Sequence, residues 1–472
     1  MVNRGRPSRD CFPCRKRKLR CDLRPDGCSQ CHRAKLICHG YRDLSQLAFR
    51  DETHATAQKV LARQALIAPA NLTPLQLGWD VRSRYAFFSI YVMGLSKSCN
   101  ALAPLYAHAS AVEHLHASVD AVSLAFMSCH LDSPGLMQLA NGKYLLAIKT
   151  LGHALRNPHA LASDETLQAV LLLDLYEKMV NRDPRSSVSW MSHVQGAMSL
   201  VKGRGARNFS SPLARQLATR VAVTLTISCG ATGVPVPEAL KALRRDLDSF
   251  ADNAKWDFTA LLVDIVNFRA DVQNGKFVCS AAASNRARVL DNQLASLETT
   301  LPLSWKPRRV YTMGHNPYVF SHYYNVYPDH FVTQVRNAIW LMRLTMNDIV
   351  RRHEPGGASN AETNASRTII DLTRQICAAV PQFVLPDAQP ENRVPFSPLQ
   401  RLQCYTLLTP LYLAGQLSTD NHMRNWIGHS MEYMAEAGNM KMAKDITDIL
   451  RTKPDVEYWT VYAMTGSYAL AA

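Results

Sequence analysis

The chain has 472 residues, 47 % of them hydrophobic, with 53 Lys and Arg against 38 Asp and Glu, a formal net charge of +15. No uninterrupted apolar segment is long enough to span a bilayer and the N-terminus has no apolar run, which argues against a membrane-spanning chain and against a secreted disulfide scaffold. The charge is also concentrated: residues 1–50 hold thirteen Lys or Arg against four Asp, a net of +9, and a dense basic field of this kind attracts polyanions.

The first element in chain order carries both metal-binding and anion-binding chemistry. Cys11, Cys14 and Cys21 recur seventeen residues later as Cys28, Cys31 and Cys38, so the unit C-x2-C-x6-C occurs twice. The intervening loops repeat in part, Lys16 matching Arg33, Lys18 matching Lys35 and Leu19 matching Leu36. Six such thiols could form disulfides, a redox pair, one zinc site with two spare thiols, or a shared metal cluster. A reducing compartment and the lack of a βαβ setting remove the first two. A single zinc would leave Cys21 and Cys38 idle despite their equivalent placement. Two zinc ions need eight tetrahedral positions, which six thiolates supply if two of them bridge. Each C-x-x-C pair is expected to open a short helix whose free N–H groups favour phosphate. Cations two and four residues after the second cysteine of each half suit backbone clamping. Only the first half adds Arg15, Arg17 and Arg20, which assigns it to the major groove and to guanine O6 and N7.

The pattern C-x2-C-x6-C-x6-C-x2-C-x6-C with a basic first loop resembles the DNA-binding module of the fungal binuclear zinc cluster transcription factors. The resemblance covers about forty residues. It implies two zinc ions per chain, bridging by Cys11 and Cys28, a main base contact from Lys18, and CGG-type half-sites in double-stranded DNA. Pro25 departs from the family pattern, standing three residues before Cys28 instead of two. The preceding Arg4–Pro7, "RGRP", is similar to the core of a minor-groove arm and is read as an extra phosphate contact at most.

Residues 43–75 read as a polar connection followed by a helical pattern. Counting in sevens from Leu47 reaches His54, Leu61 and Ala68, and from Leu44 reaches Asp51, Gln58 and Ala65. Polar residues interrupt both rows, so no coiled-coil seam is expected. Residues 1–75 are therefore expected to be monomeric, and any homodimer to form through the rest of the chain.

From about residue 76 to 472 the periodicity is helical almost throughout, and an all-α body is predicted. Phe258, Leu261, Leu262, Ile265, Phe268 and Val272 share one helical face, as do Phe331, Val335, Ile339, Met342, Met346 and Ile349 behind Pro328 at a first helical position. A third helix is expected from Ser163, with Asp164 and Glu165 in its first turn and Leu167, Val170, Leu171 and Leu175 buried. Breaks are placed at 228–238, 353–366 and 385–398.

The body, too, resembles a known domain. "WMSHVQGAMSLVKGRG", with Trp190, His193, Gly196, Ala197, Leu200, Arg204 and Gly205, looks like the signature helix of the second type of fungal-specific transcription factor domain. "YNVYPDHF", "PLYLAG" (410–415) and "GSYALAA" are similar to its later stretches, so the resemblance spans about 180–470. Trp190, Val194, Ala197 and Val201 form one face, Gly196 is expected to permit close packing, and Gly203 and Gly205 suit the exit. Trp190 and His193 are read as packing residues.

A catalytic reading finds nothing to stand on: there is no H-E-x-x-H, G-x-S-x-G or P-loop, and "GRGARN" (203–208) follows a helix and lacks a third glycine. His108, His114 and His116 cluster without a completing ligand. Cys99, Cys129, Cys229, Cys279, Cys377 and Cys404 are scattered and are expected to be buried apolar residues.

The sequence reading is thus a zinc-stabilised two-helix cluster (1–42), a linker (43–75) and a large all-α regulatory domain (76–472). The expected function is nuclear, sequence-specific, RNA polymerase II-type transcription regulation, without enzymatic activity. Metal ligands are Cys11, Cys14, Cys21, Cys28, Cys31 and Cys38. DNA contacts come from Arg15, Lys16, Arg17, Lys18, Arg20, Arg33 and Lys35. Expected partners are double-stranded DNA, a second copy of the chain through the helical domain, and transcription co-regulators, with no membrane. The competing reading is a ligand sensor whose helical-domain pocket controls activity.

Overall fold

The computed structural model describes residues 8–43, 77–96, 99–108, 112–180, 187–251, 253–277, 279–353 and 363–465. The RGRP arm, the heptad count after Leu44 and the ending GSYALAA lie outside the described residues, as do the side chains of Trp190 and Val194. The chain divides into two compact units, Met1–Gln76 and Leu77–Ala472, each described here by itself.

In the first unit two five-residue helices, α1 (Phe12–Lys16) and α2 (Ser29–Arg33), begin directly after Cys11 and Cys28. Isolated helices of this length do not form in water, since nucleation costs more than one turn returns. Their persistence must come from the thiols buried between them.

The second unit opens with α3 (Trp79–Ala86), which runs on through a π turn at Phe87–Val92, then α4 (Leu102–His108), α5 (Glu113–Leu131), α6 (Pro134–Ala154), α7 (Pro158–Leu161), α8 (Asp164–Val180) and α9 (Ser187–Arg204). There follow α10 (Pro212–Thr232), α11 (Glu238–Leu247), α12 (Ala254–Gln273) and α13 (Ser280–Thr300), a hairpin of β1 (Arg308–Tyr311) and β2 (Tyr323–Val326), and α14 (His330–His353). The unit closes with α15 (Asn364–Ala379), α16 (Pro381–Val384), α17 (Pro398–Leu417), α18 (Asn421–Ala437), α19 (Lys441–Thr452) and α20 (Tyr458–Thr465).

Local sequence explains most of the helix starts. Ser133, Ser211 and Ser397 each accept a backbone N–H from three residues on and are followed by Pro134, Pro212 and Pro398 at the first helical position, where a missing N–H costs nothing. Ser397 and Gln400 complete a reciprocal capping box. As expected, Ser163 starts α8, its Oγ accepting from the Thr166 N–H at 3.1 Å, and Leu167, Val170, Leu171 and Leu175 are buried.

Three expectations are corrected. Pro328 precedes α14 instead of occupying its first turn; the cap is Asp329, whose Oδ1 accepts the Val332 N–H at 2.8 Å. The break placed at 228–238 shrinks, because α10 continues through Thr232 and ends at Gly233 with φ +72°. The body is mostly helical, but it also carries the antiparallel β1–β2 pair, Arg308 opposite Val326 and Tyr311 opposite Tyr323. Part of "YNVYPDHF" lies in that second strand.

The core is built from helices surrounded on several sides. Leu407, Leu408, Leu411, Tyr412 and Ala414 of α17 are fully buried, as are Val119, Ala121, Val122 and Ala125 of α5; helices apolar all round belong in an interior. In α14, Val335, Ile339, Met342 and Met346 are buried as predicted, but so are Trp340, Leu341 and Leu344 on other faces. Val272 of α12 departs from its predicted stripe and is exposed.

Candidate metal centre and nucleic-acid interface

The six N-terminal cysteines are free thiols. Cys11, Cys14, Cys28 and Cys31 are at most 1 % exposed and Cys21 is 7 % exposed. The Sγ atoms of Cys11 and Cys28 are 3.6 Å apart, Cys11 and Cys31 3.6 Å, Cys14 and Cys28 3.5 Å, and Cys21 and Cys11 3.8 Å. A tetrahedron of thiolates at the zinc–sulfur distance has S···S edges of about 3.8 Å, so these separations suit a metal and are far too long for disulfides. Two sets of four ligand atoms lie within 4.8 Å of one another: Cys11, Cys14, Cys21 and Cys28; and Cys11, Cys28, Cys31 and Cys38. Cys11 and Cys28 belong to both sets. These clustered thiols can hold a metal ion, and no other such group occurs among the described residues.

The electrostatics of the bare thiols favour a cation in their midst. Burial, reinforced by the neighbouring thiols, raises Cys14 above its ordinary value and pushes Cys31 up to about 12. Burial opposes ionisation of Cys28 as well, but the Cys31 backbone N–H, with the neighbouring thiols, outweighs it and lowers Cys28 to about 6. That N–H reaches the Cys28 sulfur at 3.4 Å. A bound divalent ion would let all six ionise.

The two halves also share a backbone device that spacing alone did not reveal. The Leu19 N–H donates to the Cys14 carbonyl at 2.9 Å and the Lys18 N–H to the Arg15 carbonyl at 3.2 Å. In the second half Leu36 donates to Cys31 at 2.9 Å and Lys35 to His32 at 3.0 Å. This is the paired helix C-cap in which the residue between takes a left-handed conformation, and Lys18 and Lys35 have φ of +54° and +53°. Glycine is the usual occupant. Here lysines hold the position, and the only sequence signal was the repeated Lys-Leu pair.

The link between the halves is a turn closed by the Gly27 N–H donating to the Arg24 carbonyl at 3.1 Å. Pro25 therefore sits at the second turn position, where its fixed φ is suited, and its offset from the family pattern leaves the thiol geometry intact. Asp22, unremarked in the sequence reading, ties this link to α2 by accepting the Ser29 N–H at 3.0 Å and the Ser29 hydroxyl. The Ser29 hydrogen bond holds its carboxyl below the ordinary value. The Tyr41 hydroxyl donates to the Arg24 carbonyl.

The predicted DNA-contacting cations are placed on the surface of this unit. Lys16, Arg17, Lys18, Arg20, Arg33 and Lys35 are exposed, and Arg15 is half-buried with its guanidinium 5.9 Å from the Phe12 ring centroid. The excess lies on the α1 side, because α2 and its exit add only Arg33 and Lys35 beside His32.

In the helical unit the described side chains of the predicted set make contacts within the fold, and the expectation for the Trp190 side chain lies outside the described residues. His193 Nε2 lies 3.1 Å from the Tyr144 hydroxyl, which donates to Glu177 at 2.5 Å. Ala197 and Val201 are buried, and Arg204 bonds the Ser163 carbonyl at 2.9 Å and pairs with Asp164. Gly196 is a correction: a Cβ there would meet nothing within 4 Å, so it does not mediate a close approach. His114 lies 3.1 Å from the Thr166 hydroxyl and the His116 ring lies tilted against Tyr106 with centroids 4.5 Å apart, so these histidines make separate contacts. Of the scattered cysteines, Cys99, Cys229, Cys377 and Cys404 are buried as expected, whereas Cys129 and Cys279 are exposed.

Residues 84–450 match the family model described as the fungal specific transcription factor domain. The chain belongs to this family. The match begins well before the residue-180 start of the resemblance read from motifs. White-opaque regulator 2 of Candida albicans is 45 % identical over 47 residues, 10 % of this chain and 10 % of that protein. The chain thus matches about a tenth of that relative's length. No solved structure matches. No helix among the described residues is long and apolar enough to cross a membrane.

Proposed function

We propose that this family member is a nuclear, sequence-specific DNA-binding regulator in which a two-zinc cluster presents α1 to the major groove of CGG-type half-sites. The observation that carries the reading is the pair of four-thiol sets sharing Cys11 and Cys28, set beside an exposed basic surface that is heavier on the first half. Zinc would be held by Cys11, Cys14, Cys21, Cys28, Cys31 and Cys38 and would supply cross-linking and charge, not chemistry. The seven cations Arg15, Lys16, Arg17, Lys18, Arg20, Arg33 and Lys35 would then divide the work: the α1 side reads base edges, and the α2 side clamps phosphate. Dimer formation through the helical domain, and recruitment of co-regulators by it, belong to the same proposal.

Binding-site selection with the zinc-loaded chain tests the reading, combined with Lys18→Ala and Lys35→Ala. Because both lysines occupy left-handed positions, Lys18→Gly and Lys35→Gly serve as variants that remove the charge without backbone strain. Loss of Lys18 should relax preference at one step by about 1–3 kcal/mol, while loss of Lys35 should weaken all sequences alike and flatten the salt slope by about one unit. Equal loss of specificity from both would refute the division of roles.

A further inference from the structure

The helical unit contains a cavity of about 500 Å3 bounded by the π turn after α3, the end of α5, the start of α6, the end of α8, and faces of α17 and α19. Its apolar wall is Tyr91, Phe126, Met137, Met179, Leu402 and Met442. This volume falls in the range of small-molecule sites, which pair an apolar lining with a few fixed polar groups.

The polar group that stands out is Arg401 of α17. It is partly buried, its Nε is shielded from solvent with no hydrogen-bond partner, and among the described residues its guanidinium takes part in no ion pair. Burial holds it below its ordinary value, with only Tyr405 offsetting the effect. His130 lines the same wall, its Nδ1 3.1 Å from the Phe126 carbonyl and its ring 4.2 Å from that of Phe126. Burial, and then the Arg401 charge, push it down to about 4, so at neutral pH the ring adds no charge of its own. Asp132 and Asp445 also line the cavity but do not pair with Arg401. The fork's remaining nitrogens are thus open to the cavity without an ion-pair partner among the described residues, a position in which a bound anion can supply the opposite charge.

We propose that this cavity binds a small amphipathic monocarboxylate, its head on the Arg401 guanidinium and its apolar body against Tyr91, Phe126, Met137, Met179, Leu402 and Met442. A guanidinium matches a carboxylate with two parallel hydrogen bonds. Beyond Arg401 the charged residues of the lining are Lys441, Asp132 and Asp445, one cation against two anions, which favours a single negative charge on the ligand and disfavours a doubly charged phosphate. The inference deepens the regulatory reading by naming the ligand class of the helical domain. It rests on that unit alone, so DNA binding that persists without ligand binding counts against the site and not against the reading.

The test is calorimetric titration of the full chain with phenylbutyrate and decanoate, each against its matched alcohol, with inorganic phosphate as control. Both carboxylates should bind at least about tenfold tighter than their alcohols, and phosphate should not bind. Arg401→Met should abolish the difference and Arg401→Lys should restore part of it. Cys129, exposed on the cavity wall, supplies a readout on the unaltered chain: a bound carboxylate should slow its alkylation, read by peptide mass spectrometry. Equal binding of acid and alcohol, failure of both carboxylates to bind or protect Cys129, or unchanged carboxylate affinity in a folded Arg401→Met chain would overturn the proposal.

Discussion

Cys28→Ser and Cys38→Ser separate a shared cluster from every other arrangement of these thiols. Cys28 belongs to both four-thiol sets and Cys38 to only one, so the first substitution leaves each set with three ligands and the second leaves one set whole. A structural zinc site contributes roughly 10–16 kcal/mol of apparent binding energy and needs four ligands. The native chain should therefore hold about two zinc ions, Cys38→Ser about one tightly, and Cys28→Ser about none under a competing chelator. Cys14→Ser should behave as Cys38→Ser does, from the other side of the molecule. Native mass spectrometry and elemental analysis give the counts. Trypsin cleavage after Arg17 and Arg33 reports whether α1 and α2 persist, since five-residue helices should not survive without metal. One ion in the native chain, or equal zinc loss from Cys28→Ser and Cys38→Ser, would refute the sharing of Cys11 and Cys28.

Three further outcomes concern the helical unit. Gly230→Ala would place a Cβ 2.5 Å from the ring of Trp459, which is 4 % exposed; the overpacking should outweigh the helix-propensity gain and cost about 1–3 kcal/mol in urea denaturation, and a raised midpoint would contradict this packing. Asp174 and Lys178 form a 2.9 Å ion pair with side chains 5 % and 3 % exposed, so Asp174→Ala should destabilise by about 3–5 kcal/mol and the double change Asp174→Leu with Lys178→Met should recover much of it; equal loss from single and double variants would show the pair is not the cause. The folded value of about 4 for His130 lies below its ordinary 6.5 because burial disfavours the charged ring. The folded state thus binds fewer protons, and the contribution, about 3 kcal/mol in full, is complete above pH of about 6.5 and lost as pH falls towards about 4. His130→Phe should flatten that part of the stability–pH profile, and an unchanged profile would assign the acid sensitivity elsewhere.

The sequence by itself determined what depends on residue identity and short spacing. The seventeen-residue repeat located the six thiols and both short helices, because two residues between cysteines bring their sulfurs together within one helical turn. Ser163 marked the start of α8, where satisfying free N–H groups is a local matter, and the 3.6 period identified α12 and α14. Only the tertiary structure decided what depends on distant chain. It showed that α14 is enclosed on further faces through Trp340 and Leu344, which one amphipathic stripe could not indicate, and that Gly230 belongs inside α10, where packing against Trp459 overrides a glycine's tendency to end a helix. It assigned Lys18 and Lys35 to left-handed caps, a consequence of hydrogen bonds made after each helix forms. Arg401 and His130 stand 271 positions apart in the chain and share a cavity wall only because α5 and α17 pack against the same space. No local pattern encodes that meeting, since it arises when helices bury their apolar surfaces against one another.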